Sequence, residues 1–331
     1  MNTRKKLVFF FYYDIMIMVN DMDTRKTFKT LDEQIEILKS RGLVVTDLEK
    51  AKNILLRENY FFISGYRHLF MKSWKDRNFI PGTTFEELYA MFVFDRRVRN
   101  IFFKNLLIVE NNIKSLISYE LSKKYGFKEK EYLNPKNFNK DPMKVRQVHD
   151  VLNKVKRQIR VNGKQHSATM HYITNYGYIP LWILVKVLSF GIVGELFNIL
   201  DDKDQIDIAS FYNLDVETLA IYLSILSNYR NLCAHEDIVF DHKTERKIPD
   251  TEYHKKLNIF KMDGEYIYGK EDIFSVIIMM KYLLEEDEFR LMLKEFEYEL
   301  EKLDGRIDSI PVEKILDTMG VPKNYMDILD M

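Results

Sequence analysis

The residues best suited to chemistry lie together in the segment Tyr229–His235, where an arginine, an asparagine and a histidine follow an apolar stretch. The imidazole of His235 could exchange a proton with a hydroxyl group near neutrality, because its reference pKa is about 6.5. Arg230 could hold a phosphate through paired hydrogen bonds and stabilise charge on its oxygens. Asn231 could orient either group. These residue types are suited to RNA cleavage by the 2′-hydroxyl, without a metal ion.

The elements that must position these side chains begin with an apolar helix from about Val216, capped by Asp215. Asn231 and His235 are four residues apart and share a face of this helix, whereas Arg230 lies about 140° around the axis from His235. One helix supplies one histidine, but the reaction needs an acid and a base. We therefore expect a two-fold homodimer that brings two helix ends together. The alternative is a histidine with only a structural role.

Composition narrows the class of protein. The chain has 331 residues but only 12 glycines and 7 prolines, and this scarcity favours long helices. Lys+Arg and Asp+Glu are both 50, so net charge indicates no partner. The sequence contains no phosphate-binding glycine loop and no histidine spacing typical of a metal site, so we expect neither cofactor nor metal. Its single cysteine, Cys233, excludes internal disulfides and fits a reducing cytoplasm, and we interpret it as a buried, inert residue.

A helix without glycine or proline is predicted from Phe85 to about Lys124, after a cap at Thr83 or Thr84. Glu110 lies beside its apolar stripe, and we interpret it either as a paired helix residue or as a group that orients Arg230. The first half of this helix carries a basic stretch of Arg96, Arg97, Arg99 and Lys104. The candidate RNA-binding residues in this stretch are Arg96, Arg97 and Arg99.

The most basic region of the chain is residues 144–164. It is either a solvated amphipathic helix or a surface that contacts the phosphate backbone of RNA without sequence preference. The candidate RNA-binding residues in this region are Lys154, Lys156, Arg157 and Arg160. Earlier in the chain, we interpret the aromatic segment Tyr60–Tyr66 as a core that packs two helices together, with a base-stacking platform as the alternative.

Both ends of the chain carry further features. Residues 261–268 contain an Asp-Gly pair that predicts a short β-hairpin. Near the N-terminus a basic stretch precedes an apolar one that is too short to span a bilayer, so no membrane element is expected. We interpret residues 1–20 as an appendage or a start-site extension, with Met22 as an alternative start.

Several short segments occur in an order that resembles the bacterial abortive-infection AbiD/AbiF family, within the HEPN ribonuclease superfamily. The segments are Ile63-Ser64-Gly65-Tyr66, Gly82-Thr83-Thr84-Phe85, Phe94-Asp95-Arg96-Arg97-Val98-Arg99, Ile108-Val109-Glu110-Asn111-Asn112-Ile113-Lys114, Pro180-Leu181-Trp182, Arg230-Asn231-Leu232-Cys233-Ala234-His235 and Met319-Gly320-Val321-Pro322-Lys323-Asn324-Tyr325. The resemblance covers almost the whole chain after the N-terminal extension.

The resemblance implies an all-α HEPN-type helical bundle, a role in anti-phage defence, and growth arrest through RNA cleavage. It implies that Arg230 and His235 are the catalytic pair, and that a structured noncoding RNA could regulate the protein. We expect a HEPN-like helical domain over residues 81–241, preceded by an N-terminal helical region over 22–80 and an extension or alternative-start segment over 1–21. A C-terminal helical region follows over 242–331.

The sequence departs from the resemblance just after the histidine. Many relatives have a second basic residue a few positions later, whereas this chain has Glu236 and Asp237, which would repel a phosphate. Two hypotheses that involve RNA therefore remain. The first is a dimeric, metal-independent endoribonuclease, and the second is a catalytically weak RNA-binding protein that holds a structured noncoding RNA. A third hypothesis is a module that uses these helices only to dimerise.

Overall fold

The computed structural model describes residues 27–73, 75–162 and 165–331, and the expectations for residues 1–21 lie outside this part of the chain. The described residues are mainly α-helical, which confirms the prediction of an all-α fold. The hairpin is also confirmed, with strands β1 (Lys261–Met262) and β2 (Glu265–Tyr266). Asp263 and Gly264 form its turn with φ angles of 52° and 85°, as a two-residue hairpin turn requires.

The helices of the described chain follow in this order: α1 (Leu31–Ser40), α2 (Leu48–Glu58), α3 (Tyr60–Ser64), α4 (Phe85–Tyr125), α5 (Glu129–Tyr132), α6 (Val145–Asn162), α7 (Ser167–Tyr176), α8 (Leu181–Leu184), α9 (Phe190–Asn198), α10 (Asp202–Ser210), α11 (Val216–Ala234), α12 (Glu252–Lys256), α13 (Ile273–Leu283), α14 (Glu286–Asp304) and α15 (Val312–Met319). The 41 residues of α4 confirm the predicted long helix.

Two compact units make up the described chain. One contains the described residues up to Phe94 together with Glu301–Ile315, and the other contains Asp95–Leu300 and Leu316–Met331. The division between Phe94 and Asp95 falls within α4. The domain boundaries expected at residues 80 and 241 stay predictions.

The first unit includes the start of α4. Thr84 caps this helix in a reciprocal arrangement, in which its backbone N–H donates to Glu87 Oε2 at 2.7 Å and its hydroxyl accepts from the Glu87 N–H. The other oxygen of Glu87 accepts backbone N–H groups from Asp308 and Ser309 at 2.8 and 2.7 Å. One buried carboxylate therefore joins the helix start to a segment far along the chain.

The aromatic segment of the first unit is only partly a core. Ile63 and Tyr66 are buried, and the ring of Tyr66 packs edge-on against Phe92. Phe61 and Phe62 are 59% and 41% exposed, so the interpretation as a packed core is wrong for these two residues. In the helix α3 these adjacent side chains point away from the face that carries Ile63.

The second unit packs α9 against α11 and α6. A Cβ added at Gly191 would lie 3.3 Å from Ser227 Oγ, and one at Gly194 would lie 3.6 Å from Leu223 Cβ. The small residues therefore let α9 approach α11 closely. On its buried side α11 presents a continuous apolar surface, consisting of Leu219, Tyr222, Leu223, Ile225, Leu226, Tyr229 and Cys233. This packing holds the C-terminal end of α11 in place.

Candidate functional site at the end of helix α11

The last two turns of helix α11 have one buried face and one exposed face. Asp215 caps its start, as predicted, by accepting the backbone N–H of Thr218 at 2.8 Å. The exposed face carries Asn231 and His235, together with Asn228 one turn earlier. His235 is the C-terminal cap residue, and its side chain makes no hydrogen bond to any other described residue. Its imidazole is therefore accessible for proton transfer.

Arg230 points to a different neighbour from His235, because it lies on another side of the helix. Its Nε donates to Glu110 Oε2 on α4 at 3.3 Å, and Glu110 Oε1 accepts from Lys114 Nζ at 2.6 Å. Glu110 is only 4% exposed, so a single buried carboxylate lies between two cations. The cluster keeps a net positive charge, which is suited to binding an anion.

The guanidinium of Arg230 is also placed over an aromatic ring. Its Cζ lies 5.7 Å from the ring centroid of Phe103, which is about two helical turns before Glu110 on α4. The Nε–Glu110 contact is the only hydrogen bond of the Arg230 side chain within the described residues, so both Nη groups can donate to a ligand. A planar group held from one edge presents its other edge in a defined direction.

The chain leaves α11 through a left-handed residue. The N–H of Glu236 bonds to Cys233 O at 3.4 Å and that of Asp237 to Leu232 O at 3.1 Å. This pattern usually has a glycine where Glu236 stands with φ 59°. At the end of α1 the same pattern has Gly42 with φ 88°. Glu236 therefore holds a conformation that glycine adopts more easily.

The segment after His235 is fastened to α4 by Asp95, which is fully buried. Asp95 accepts the backbone N–H groups of Val239 and Phe240, the latter at 2.9 Å, and pairs with the Arg99 guanidinium. Arg99 also donates to the Asp237 carbonyl at 3.3 Å and is 3% exposed. The prediction that Arg99 contacts RNA is therefore wrong, because its charge is used inside the protein.

Two further side chains near the motif are buried. Cys233 is 7% exposed, and burial raises the pKa of its thiol to about 12, which agrees with an inert cysteine. Tyr229 is fully buried and its hydroxyl donates to the His242 carbonyl at 3.2 Å. The His242 ring contacts Tyr229 edge-on, and its Nε2 lies 3.2 Å from Asn228 Oδ1. Sequence reasoning missed His242, since no local spacing links it to α11.

The remaining predicted RNA-binding residues differ in their surroundings. Arg97 is exposed and Arg96 is partly buried. Lys154 forms an ion pair with Glu195 on α9 at 2.6 Å, so much of its charge is neutralised. Lys156, Arg157 and Arg160 are exposed and form no ion pair with any other described residue. The structure confirms a helix here, α6, whose opposite face buries Val148, Val151, Leu152 and Val155.

Within residues 27–73, 75–162 and 165–331, no group of three or more His, Cys, Asp or Glu side chains could hold a metal ion. None of the described helices combines the length and the apolar character needed to cross a bilayer.

Fold and site together define an all-α protein in which the end of one helix carries an arginine paired with a buried carboxylate and, on another side, an exposed histidine. A family model described as Abi-like protein matches residues 53–241, more than half of the chain, so the protein belongs to the Abi-like family. This membership indicates abortive-infection defence. The matched region includes Glu110, Arg230 and His235. Neither the curated proteins nor the solved structures contain a significant match.

Proposed function

We propose that this Abi-like protein is a HEPN-type endoribonuclease that cleaves RNA by attack of the 2′-hydroxyl and needs no metal. The observation that carries the proposal is the position of Arg230 on the helix whose end exposes His235: its Nε is held by Glu110, and its Nη groups make no hydrogen bond to another described residue. Arg230 stabilises the charge that develops on the phosphate oxygens, and Asn231 positions the substrate. His235 transfers the proton between oxygen atoms.

The balance of the reaction is simple. The 2′-oxygen forms a bond to phosphorus as the bond to the 5′-oxygen breaks, which leaves a 2′,3′-cyclic phosphate and a 5′-hydroxyl. One proton leaves the 2′-hydroxyl and another joins the 5′-oxygen, so a base and an acid are needed at opposite ends. His235 supplies one of them. A homodimer supplies the second from the partner copy, which is why we propose that the active enzyme is a dimer.

Cleavage of a labelled RNA in excess EDTA tests the mechanism. The wild-type protein should produce cyclic-phosphate ends, and His235→Ala and Arg230→Ala should each reduce the rate by at least about 100-fold. His149→Ala, at an exposed histidine on α6, is the matched control and should retain full activity. Activity that survives in His235→Ala, or that EDTA abolishes, would contradict the mechanism.

Mixed dimers test the shared site. Wild-type and His235→Ala chains are co-expressed in equal amounts with different tags, so that about a quarter of the dimers carry two wild-type chains. If each site needs both copies, activity should fall to about a quarter of the wild-type value. A fall to only one half would show that each chain acts alone.

A second candidate function is an RNA-binding protein with little or no catalysis. The exposed cations of α6 at Lys156, Arg157 and Arg160 favour it, as do the acids Glu236 and Asp237 beside the histidine. RNA that co-purifies with the protein, without cleavage at any dilution in EDTA or with added Mg²⁺, would support this function over the nuclease. A protein that uses these helices only to dimerise should neither cleave RNA in the EDTA assay nor co-purify with RNA.

A further inference from the structure

Five aromatic side chains of the second unit form one connected cluster at the surface, which we call the aromatic surface. It consists of Phe127, Tyr172, Tyr176, Tyr178 and Trp182. The Phe127 ring centroid lies 5.5 Å from that of Tyr178 and 6.5 Å from that of Trp182. Tyr176 lies 6.2 Å from Tyr178 and 5.4 Å from Tyr172.

The cluster is open to solvent. Phe127 is 41% exposed, Tyr176 is 56% exposed and Trp182 is 44% exposed. Large contiguous apolar surfaces are unusual on a protein unless something binds there. Neighbouring rings are tilted against one another by 36° to 57°, and the exposed part of each ring is in contact with solvent.

The backbone around the aromatic surface is well fixed. Gly177 ends α7 in a left-handed conformation with φ 74°, which directs the chain from Tyr176 to Tyr178. Two hydrogen bonds fix the backbone of Ile179. Its N–H donates to Glu129, and its carbonyl accepts from the buried Tyr132 hydroxyl at 2.7 Å. A rigid set of rings loses little conformational entropy when a ligand stacks on it.

A lysine lies over two of the rings: Lys128 Nζ is 5.8 Å from the Phe127 centroid and 5.5 Å from that of Tyr178. The neighbouring carboxylates are engaged with backbone, Glu129 with the Ile179 N–H and Glu131 with the Lys128 N–H. Residues 151–194, which include part of α6 and most of the aromatic surface, contain no acidic residue at all.

We propose that the aromatic surface binds unpaired nucleotides of an RNA by base stacking. Bases stack on aromatic rings whatever their sequence, and Lys128 at the rings contacts a phosphate. A protein partner could also cover apolar rings, but a stretch free of carboxylates fits a polyanion better. A duplex hides the faces of its bases, so single strands are the ligand that this surface recognises. The proposal shares with the proposed function only the class of ligand and does not require cleavage.

Binding of a fluorescent single-stranded 12-nucleotide RNA to the full-length chain tests the proposal. His235→Ala serves as the common background, so that the probe stays intact. Tyr176→Ala and Trp182→Ala should each weaken binding about 5- to 150-fold, the range for loss of one stacked base. Phe211→Ala is the matched control, since Phe211 is 64% exposed but lies outside the aromatic surface. It should leave binding unchanged.

Two readouts separate stacking from charge. Tyr176→Phe keeps the ring and should retain binding, whereas Tyr176→Ala should not. Trp182 is one of two tryptophans, and stacking on it should quench a fluorescence component that Trp182→Phe removes. Arg157→Gln with Arg160→Gln should instead lower the dependence of binding on salt.

Several outcomes would overturn the proposal. Equal binding of the single strand and its duplex would do so, as would unchanged affinity in both alanine variants. A dimer that dissociates in these variants while RNA binding persists would identify the surface as an interface between copies. The proposed nuclease is judged separately, because wild-type protein that never cleaves RNA but loses binding in the variants would leave this proposal standing.

Discussion

Arg230 and Glu110 are 120 residues apart in the sequence, yet Arg230 Nε lies 3.3 Å from Glu110 Oε2. The same carboxylate accepts from Lys114 at 2.6 Å. Glu110 thus supplies the buried counter-charge of Lys114 and also positions Arg230. The positioning of Arg230 matters for the proposed nuclease, whereas the pairing with Lys114 can be tested by measuring the stability of the protein.

Replacement of Glu110 by glutamine should destabilise the protein. The change leaves Lys114, whose side chain is 9% exposed, without its buried counter-charge, and loss of such a partner costs about 3–5 kcal/mol. Urea unfolding measures the effect. Glu120→Gln on the same helix removes a more exposed pair with Lys123 at 3.6 Å and should cost less than about 1 kcal/mol. Adding Lys114→Met to Glu110→Gln should recover part of the loss, and a purely additive double mutant would contradict the pairing.

Replacement of Asp95 by asparagine should release the segment that follows His235. The side chain would lose its charge toward Arg99 and one of the acceptors for Val239 and Phe240. We expect a loss of about 3–5 kcal/mol, because the buried Arg99 loses its counter-charge. Hydrogen exchange at the Val239 and Phe240 amides should become faster. Asp207→Asn, at an exposed position on α10, is the control and should change neither quantity. Unchanged exchange at Val239 would refute this anchoring role.

Replacement of Glu236 by glycine should stabilise the protein by about 0.5–1 kcal/mol. The residue has φ 59°, a left-handed conformation that costs free energy in the fold for any residue with a side chain. We expect the relief of this strain to exceed the entropic cost of ordering a glycine. Glu236→Gln keeps the strain and removes only the charge, so thermal unfolding should improve in the glycine variant alone. RNA affinity at low salt should rise equally in both, because both remove an acid beside His235. A glutamine variant as stable as the glycine variant would point to charge instead.

Stability should decrease below neutral pH because of His254, which is fully buried. Its Nδ1 accepts from the Thr251 N–H at 3.0 Å and its Nε2 donates to the Gly269 carbonyl at 3.0 Å, so the ring is neutral in the fold. Burial lowers its pKa. The unfolded chain binds the proton more readily, so this contribution is complete above the unfolded pKa of about 6.5 and is lost as the pH falls through the lower folded pKa.

Urea unfolding between pH 7.5 and pH 5 measures this dependence. The wild-type slope should include up to about 1.4 kcal/mol per pH unit from this one group. His254→Gln lowers stability at pH 7.5 through lost packing, but its curve should be flatter by that amount. His149→Gln, at an exposed histidine, should leave the slope unchanged. Parallel curves for wild type and His254→Gln would exclude His254 as the source.

The sequence by itself determined the elements and the candidate chemistry. Caps at Thr84 and Asp215 marked helix starts, since a side-chain acceptor near the first free N–H groups is a local feature. The hairpin at Asp263-Gly264 was equally local. The motif from Arg230 to His235 was visible because its residues share one helix, and the family match later covered it.

Only the tertiary structure decided how each charge and each ring is used. Arg99 and Arg97 are alike in sequence, yet one pairs with Asp95 in the interior and the other faces solvent. The contact of Glu110 with Arg230 and the aromatic surface around Trp182 likewise join elements that are distant along the chain. Helical periodicity indicates which residues share a face, but not what that face meets. The energy of a charge or a ring depends on that neighbour, so it is settled by packing rather than by spacing.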